Sequence, residues 1–255
     1  MTTIKEIYDF IDRSIAPFGN ALSFDNVGLL VGNKEREVSK VLLALDITRD
    51  VCAEASSLGA ELIISHHPII FKPLKSIQFD SALADLVTNK ISAICAHTNL
   101  DVAPRGVNFQ LASKLGLKRL SALTYEEEKP MGLVGYLDAE MSATEFVEFV
   151  KKSLDCSAVR HTSINDRIKK VAVCSGSGGS FIGEAHAHSA DAFVVGEIKH
   201  SDILKANALG VNIIDTGHYK SENVIIEPLK NMLGEAFRGV ELFISREFSD
   251  NIKYL

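Results

Sequence analysis

Residues 41–67, VLLALDITRDVCAEASSLGAELIISHH, decide the fold. The β-branched and leucine-rich run from Val38 to Leu45 has the composition of a strand buried on both faces. Thr48 offers a hydroxyl N-cap, and the helix it starts, Asp50 to Leu58, is stopped by Gly59. Leu62-Ile63-Ile64-Ser65 is a second apolar strand, and it runs straight into His66-His67-Pro68. Towards the N-terminus, Ile4, Ile7, Tyr8, Ile11 and Ile15 recur at helical spacing, so Ile4 to Ile15 is an amphipathic helix closed by Pro17 and Gly19. Towards the C-terminus, Ser81 to Asn89 reads as a helix and Ile91 to Ala96 as a third strand, ending at His97. Strand, helix and strand in alternation predict an α/β fold with mostly parallel or mixed sheets flanked by helices. Such sheets bind ligands at the carboxyl ends of their strands, and His66, His67 and His97 all fall there.

A second α/β unit follows. Asn108 to Leu115 looks helical, and the charged, proline-ended stretch Tyr125 to Pro130 is either an interdomain linker or a solvated loop. Gly132 to Leu137 is strand-like, and Ser142 with Glu145 forms a capping box for a helix reaching Leu154. Val171 to Cys174, Asp191 to Gly196, Val211 to Thr216 and Val240 to Ile244 are further strands. The organisation expected is a first domain of residues 1–125 with 224–255, and a second of residues 126–223.

The bulk properties narrow the functional classes. The 255 residues carry 33 acidic and 27 basic side chains, a net charge of −6, with no long basic run. That balance argues against nucleic acid as a primary partner. No apolar run approaches the ~20 residues of a membrane helix, and no signal peptide is visible at Met1 to Glu6. Cys52, Cys95, Cys156 and Cys174 form no C-x-x-C pair and sit in or near apolar runs, as buried thiols in a reducing compartment do. A cytoplasmic location is expected.

Three pieces of sequence carry chemistry. Adjacent histidines after an apolar strand cost desolvation unless they are paired. His97-Thr98-Asn99-Leu100-Asp101 follows the next strand end and adds a carboxylate, the ligand mix preferred by zinc, iron or manganese. Asp101 is the expected ligand there. His97 is either a third imidazole or a group orienting a ligand or a bound water. His218-Tyr219-Lys220-Ser221-Glu222 repeats the strand-end context, and i, i+4 spacing puts His218 and Glu222 on one helix face. A glutamate at that position can bridge two metals roughly 3.5–4 Å apart. His200, in Gly196-Glu197-Ile198-Lys199-His200, also follows a strand and is a candidate for substrate contact or a general acid. His186 and His188 read as a helix with one buried and one exposed imidazole, and His161 as a surface residue. The glycine-rich loop Ser175 to Ser180 is either an anion-binding turn or a plain strand-to-helix connection.

With these residues in place, the chain resembles the dinuclear-metal proteins known as GTP cyclohydrolase 1 type 2 homologues. The likeness covers nearly the whole chain, through Ser23 to Gly32 (SFDNVGLLVG), Ile63 to Lys75 (IISHHPIIFKPLK), His97 to Asp101, Gly196 to His200 and Asp215 to Glu222 (DTGHYKSE). Phe24 stands where relatives often have tryptophan. The resemblance implies a two-domain α/β subunit in a toroidal homohexamer, with a metal pair between the domains facing an internal cavity. It implies metal ligation by His66, His67, Asp101, His218 and Glu222. Some relatives carry an inserted domain in mid-chain, for which this sequence is too short.

Two functional classes follow. The first is a metal-dependent hydrolase of a nucleotide or pterin-like small molecule, phosphorylated or not, with His97 or His200 moving protons. The second is non-enzymatic metal storage, metal delivery or a metal-dependent scaffold. A two-metal site with a carboxylate bridge suits hydrolysis and favours the first. The mixed ligand set accepts two divalent ions of zinc, iron, manganese, nickel or cobalt.

Overall fold

The computed structural model describes residues 1–162, 166–247 and 249–253. Helix α1 (Ile4–Phe10) is capped by Thr3, whose hydroxyl accepts from the Glu6 amide while the Glu6 carboxylate accepts from the Thr3 amide. The expected run to Ile15 continues as a wider π-helical turn over Ile11–Ile15, closed by Ala16 N donating to Ile11 O at 2.8 Å. Strands β1 (Gly28–Val31) and β2 (Lys40–Ala44) follow, then α2 (Arg49–Leu58), β3 (Leu62–Ser65), α3 (Ala82–Thr88), β4 (Ser92–Cys95) and the short α4 (Thr98–Asp101). Next come α5 (Val107–Lys114), β5 (Lys118–Glu126), β6 (Lys129–Ser142), α6 (Ala143–Ser153), β7 (Arg160–His161) and β8 (Arg167–Cys174). A 3-10 turn over Gly178–Phe181 leads into α7 (Ile182–Ala187), and β9 (Ala192–Val195), α8 (His200–Leu209), β10 (Asn212–Asp215) and α9 (His218–Glu222) complete this part. Helix α10 (Ile226–Ala236) and β11 (Glu241–Ile244) close the chain.

These elements divide into two compact units, Met1–Ala103 with Ile226–Ser249, and Pro104–Ile225 with the C-terminal residues from Asp250. The first unit is built on a five-stranded sheet in the order β1-β4-β3-β2-β11. Strands β4, β3, β2 and β11 are parallel, and β1 joins β4 antiparallel. All four residues of β3 and of β4 are buried, which explains their unbroken apolar runs. Leu42, Ile63 and Ala93 share a face with Val51, Cys52 and Ala55 of α2 and Leu86 of α3. The second unit has a six-stranded sheet, β5-β6-β8-β9-β10-β7, parallel only at its centre from β8 to β10. Ala172, Phe193 and Ile213 pack with Ile182 and Ala185 of α7 and Ala206 of α8. The alternate residues Val171, Val173, Ala192 and Val194 pack with Leu111 of α5 and Phe146 of α6. Each fully buried phenylalanine, Phe146 and Phe193, stabilises its unit by about 2–3 kcal/mol.

The stretch from Tyr125 to Pro130 is a hairpin turn inside the second sheet, so the loop reading holds there and the linker reading does not. Glu126 pairs with Lys129, and Glu127 and Glu128 both take positive φ, 48° and 66°. That is the two-residue turn whose twist matches its strands, made without the usual Asn-Gly signature. The capping box on Ser142 and Glu145 is present as expected. Among the described residues, no helix is long and apolar enough to cross a membrane.

Register sets up the site. Ala44 pairs with Ser65, and Ser65 with Cys95, so β2, β3 and β4 end level. Asp46, His66, His67 and His97 therefore leave one edge of one sheet. In the second unit, Cys174 pairs with Val195 and Val195 with Asp215, so Gly176, Glu197 and His218 leave another level edge.

All four cysteines are buried thiols outside any disulfide. Burial pushes the Cys52 and Cys156 thiols up to about 11, and Cys95 well above the ordinary range. The native protein should therefore react negligibly with a disulfide reagent at about pH 8, and four thiols per chain should appear on unfolding. Prompt labelling of the native protein would contradict this burial.

Candidate metal centre

In the first unit the ring nitrogens of His66, His67 and His97 come within 4.8 Å of one another. The ring centroids are 5.0 Å apart for His66 and His67, and 5.2 and 5.5 Å from each of these to His97. Adjacent side chains on a strand would point apart. His66 and His67 converge because they lie just beyond β3, although their amides still donate to Ala44 O and Leu45 O. The Asp101 carboxylate joins them, with Oδ1 3.6 Å from His66 Nε2.

Each imidazole is held by its Nδ1. His66 Nδ1 lies 2.9 Å from Ala96 O, His67 Nδ1 2.9 Å from Asp46 Oδ1, and His97 Nδ1 2.9 Å from Asp25 Oδ1. A carbonyl or carboxylate oxygen only accepts, so each Nδ1 donates in its bond, and in a neutral ring Nε2 is then the nitrogen with the lone pair. An oxygen on the far nitrogen is the arrangement that orients metal-ligating histidines. The donor set thus fits a divalent ion of intermediate softness: three imidazoles with one carboxylate, and no thiolate.

The Asp25 side chain is fully buried. Burial would raise its pKa, but hydrogen bonds from His97 and Thr98 outweigh that and hold it at about 2. It is a carboxylate at neutral pH, so both of its oxygens are acceptors.

The second unit has its own cluster on α9. His218 and Glu222, one helical turn apart, place Nε2 and Oε2 at 3.0 Å. His218 Nδ1 lies 3.3 Å from Glu197 Oε1, so this imidazole too has an acceptor on its far nitrogen. Glu197 is steadied in turn by Ser177 Oγ at 2.9 Å. The glycine-rich loop packs directly on this cluster. Gly176 N donates to Ser221 Oγ at 2.9 Å, and Gly176 has φ +57°. A Cβ there would stand 2.2 Å from Glu222 Oε1 and 3.4 Å from His218 Cε1. The glycine is what lets the loop backbone touch the carboxylate. Ser175 N and Gly179 N also donate within the protein, to Asn108 Oδ1 and Glu197 O, so these amides are engaged by the fold.

The other histidines lie elsewhere. His200 is exposed at the first position of α8, and among the described residues no hydrogen bond or ion pair joins it to His218 or Glu222. His186 is exposed, while His188 is half-buried with Nε2 2.9 Å from Leu123 O. His161 is exposed on β7. Asp25, Asp46 and Glu197 are the participants that residue types alone did not single out. Their only sequence signal is position: Asp46 directly follows a strand, and Asp25 and Glu197 lie inside two of the resemblance motifs.

Comparison with known proteins identifies the family and the fold. A family model described as Duf34/NIF3 (NGG1p interacting factor 3) matches residues 2–251. The chain is 34% identical to the GTP cyclohydrolase 1 type 2 homolog of Clostridium perfringens, over 99% of each chain. The crystal structure of Staphylococcus aureus hypothetical protein SA1388 superposes with a TM-score of 0.92 at 33% identity, over 99% of each chain. A Bacillus cereus protein related to NIF3 gives a TM-score of 0.93 at 27% identity, over 100% of this chain and 99% of that one.

Gly176→Ala should strain the backbone and displace Glu222 together. Gly210, at φ +71°, has nothing within 4 Å of its would-be Cβ, so Gly210→Ala carries backbone strain alone, about 1–2 kcal/mol. The Gly176 variant should lose about 1–3 kcal/mol more, the cost of overpacking. Equal melting temperatures for the two variants would contradict the contact with Glu222.

Proposed function

The chain belongs to the Duf34/NIF3 family, and on that premise we propose that it is a dinuclear metal protein acting as a metal-dependent hydrolase of a nucleotide or pterin-like small molecule. The observation that carries the reading is the imidazole cluster at the end of β3 and β4, with every Nδ1 committed to an oxygen. A scaffold that spends one carbonyl and two carboxylates on the back of three histidines is preparing their front for a cation. His66, His67 and Asp101 are the ligands we assign in the first unit, and His218 and Glu222 those in the second.

A bound divalent pair lowers the pKa of water and polarises a substrate oxygen. The chain's own residues supply the rest. Ala96 O and Asp46 keep the His66 and His67 rings oriented through Nδ1, leaving Nε2 as the ligating nitrogen. Glu197 and Gly176 hold His218 and Glu222 in register with each other. His97, 19% exposed at its side chain and backed by Asp25, is placed to take a proton at Nε2 from a reacting group. His200 is a second candidate for that role from an exposed position. The substrate is a small molecule carrying a heterocycle, with or without phosphate, and the working assembly is a homohexamer in the cytoplasm.

The test is elemental analysis of protein purified without added metal, followed by turnover assays of the loaded protein on nucleoside triphosphates and pterins. About two ions per chain are expected, lost in a His67→Ala, Glu222→Ala double variant, with hydrolysis lost in the same variant. Metal without turnover on any substrate would move the protein to metal storage or delivery. No metal after reconstitution would remove the reading altogether.

A further inference from the structure

Asp25 accepts four hydrogen bonds in the first unit. Oδ1 accepts from His97 Nδ1 at 2.9 Å and from the Asn26 amide at 2.8 Å. Oδ2 accepts from the Thr98 amide at 3.0 Å and from Thr98 Oγ1 at 2.5 Å. A carboxylate has about four acceptor sites, so this chain saturates Asp25. With no lone pair to spare, it is not a ligand, although it lies against the imidazole cluster.

Its bonds go to two different parts of that cluster. The Oδ1 bond fixes the His97 ring. The Oδ2 bonds fix the first residue of α4, whose amide would otherwise lack an acceptor. That turn carries Asp101, whose own amide donates to His97 O at 3.0 Å. The loop bearing Asp25 is pinned from both sides. Leu22 N donates to Thr98 Oγ1 at 2.9 Å, and Asn26 Nδ2 donates to Ile70 O at 2.6 Å, three residues beyond His67.

We infer that Asp25 is the positioning residue of the first unit's cluster: one buried carboxylate sets the His97 ring with one oxygen and the Asp101 turn with the other. The inference extends the metal reading above to a residue outside the ligand set. It also explains why the turn of residues 22–26, far away in sequence, is required at the end of β4.

Asp25→Asn is the informative variant because its shape is preserved while one oxygen becomes a donor. In either amide orientation the NH2 group faces two groups that donate to Asp25. Placed towards His97, it forces the ring to give up the Nδ1 proton or turn away. Placed towards Thr98, it releases the start of α4.

The experiment is a crystal structure of metal-free Asp25→Asn beside the wild type, with cobalt titrations followed by visible absorption. A turned His97 ring or a displaced Thr98–Asp101 turn is expected, with cobalt affinity about 10–100-fold lower and an altered spectrum. Unchanged positions with unchanged affinity and spectrum would overturn the inference. Thr98→Val, which removes one Oδ2 bond, should weaken cobalt binding severalfold, while Thr98→Ser, which keeps the hydroxyl, should restore it. If Asp25→Asn does not fold, equal binding by the two Thr98 variants would overturn the inference. If the wild type binds no cobalt, the metal reading fails, and the metal-free structures still decide the role of Asp25.

Discussion

The site of the first unit depends on the burial of His66. Its side chain has no exposed surface, and a polar ring in that position is tolerable only if its nitrogens are matched. Ala96 O matches Nδ1, and it can do so only because β3 and β4 are parallel neighbours ending level. The same register brings His97 beside His66, and the β2–β3 pairing brings Asp46 to His67. Chemistry at this edge is thus a consequence of strand alignment, which in turn is held by fully buried valine, leucine and isoleucine side chains.

The second unit solves a related problem with a different device. There the carboxylate and the imidazole share one short helix, and the loop after β8 closes over them. Because the loop residue in contact is a glycine, the backbone can approach Glu222 as no side-chain-bearing residue could. The parallel strands β8, β9 and β10 again end level, so Gly176, Glu197 and His218 arise as neighbours from three separate stretches of sequence. In both units an acidic side chain that is not in the proposed ligand set steadies an imidazole that is in it, or that adjoins it.

Much of this was legible in the sequence, for identifiable reasons. The strands β2, β3, β4 and β8 were visible because burial on both faces leaves apolar runs that nothing else explains. Helix α2 was visible through Thr48 and Gly59, and α6 through its capping box. Other elements were hidden. Strand β5 is largely exposed and mixes charge with apolar residues, so it lacks both signatures. Its turn uses two glutamates where Asn-Gly would have announced a hairpin. Helices α8 and α10 were not separated from their flanking loops. At the site, the histidines and Asp101 could be chosen by type and strand-end position. Asp25 could not be given a role, because its work is done across 72 residues of sequence, through a bond that only the fold reveals.

Metal binding by the fronts of these histidines is directly observable. Anomalous diffraction from crystals of the protein, grown without chelator and measured across the edges of the first-row metals, tests it most directly. Anomalous density is expected about 2.0–2.1 Å from Nε2 of His66 and of His67, with Nδ1 of His66 still bonded to Ala96 O and Nδ1 of His67 to Asp46. Empty anomalous maps after metal loading, with those Nε2 atoms bonded to water or to protein donors, would contradict it.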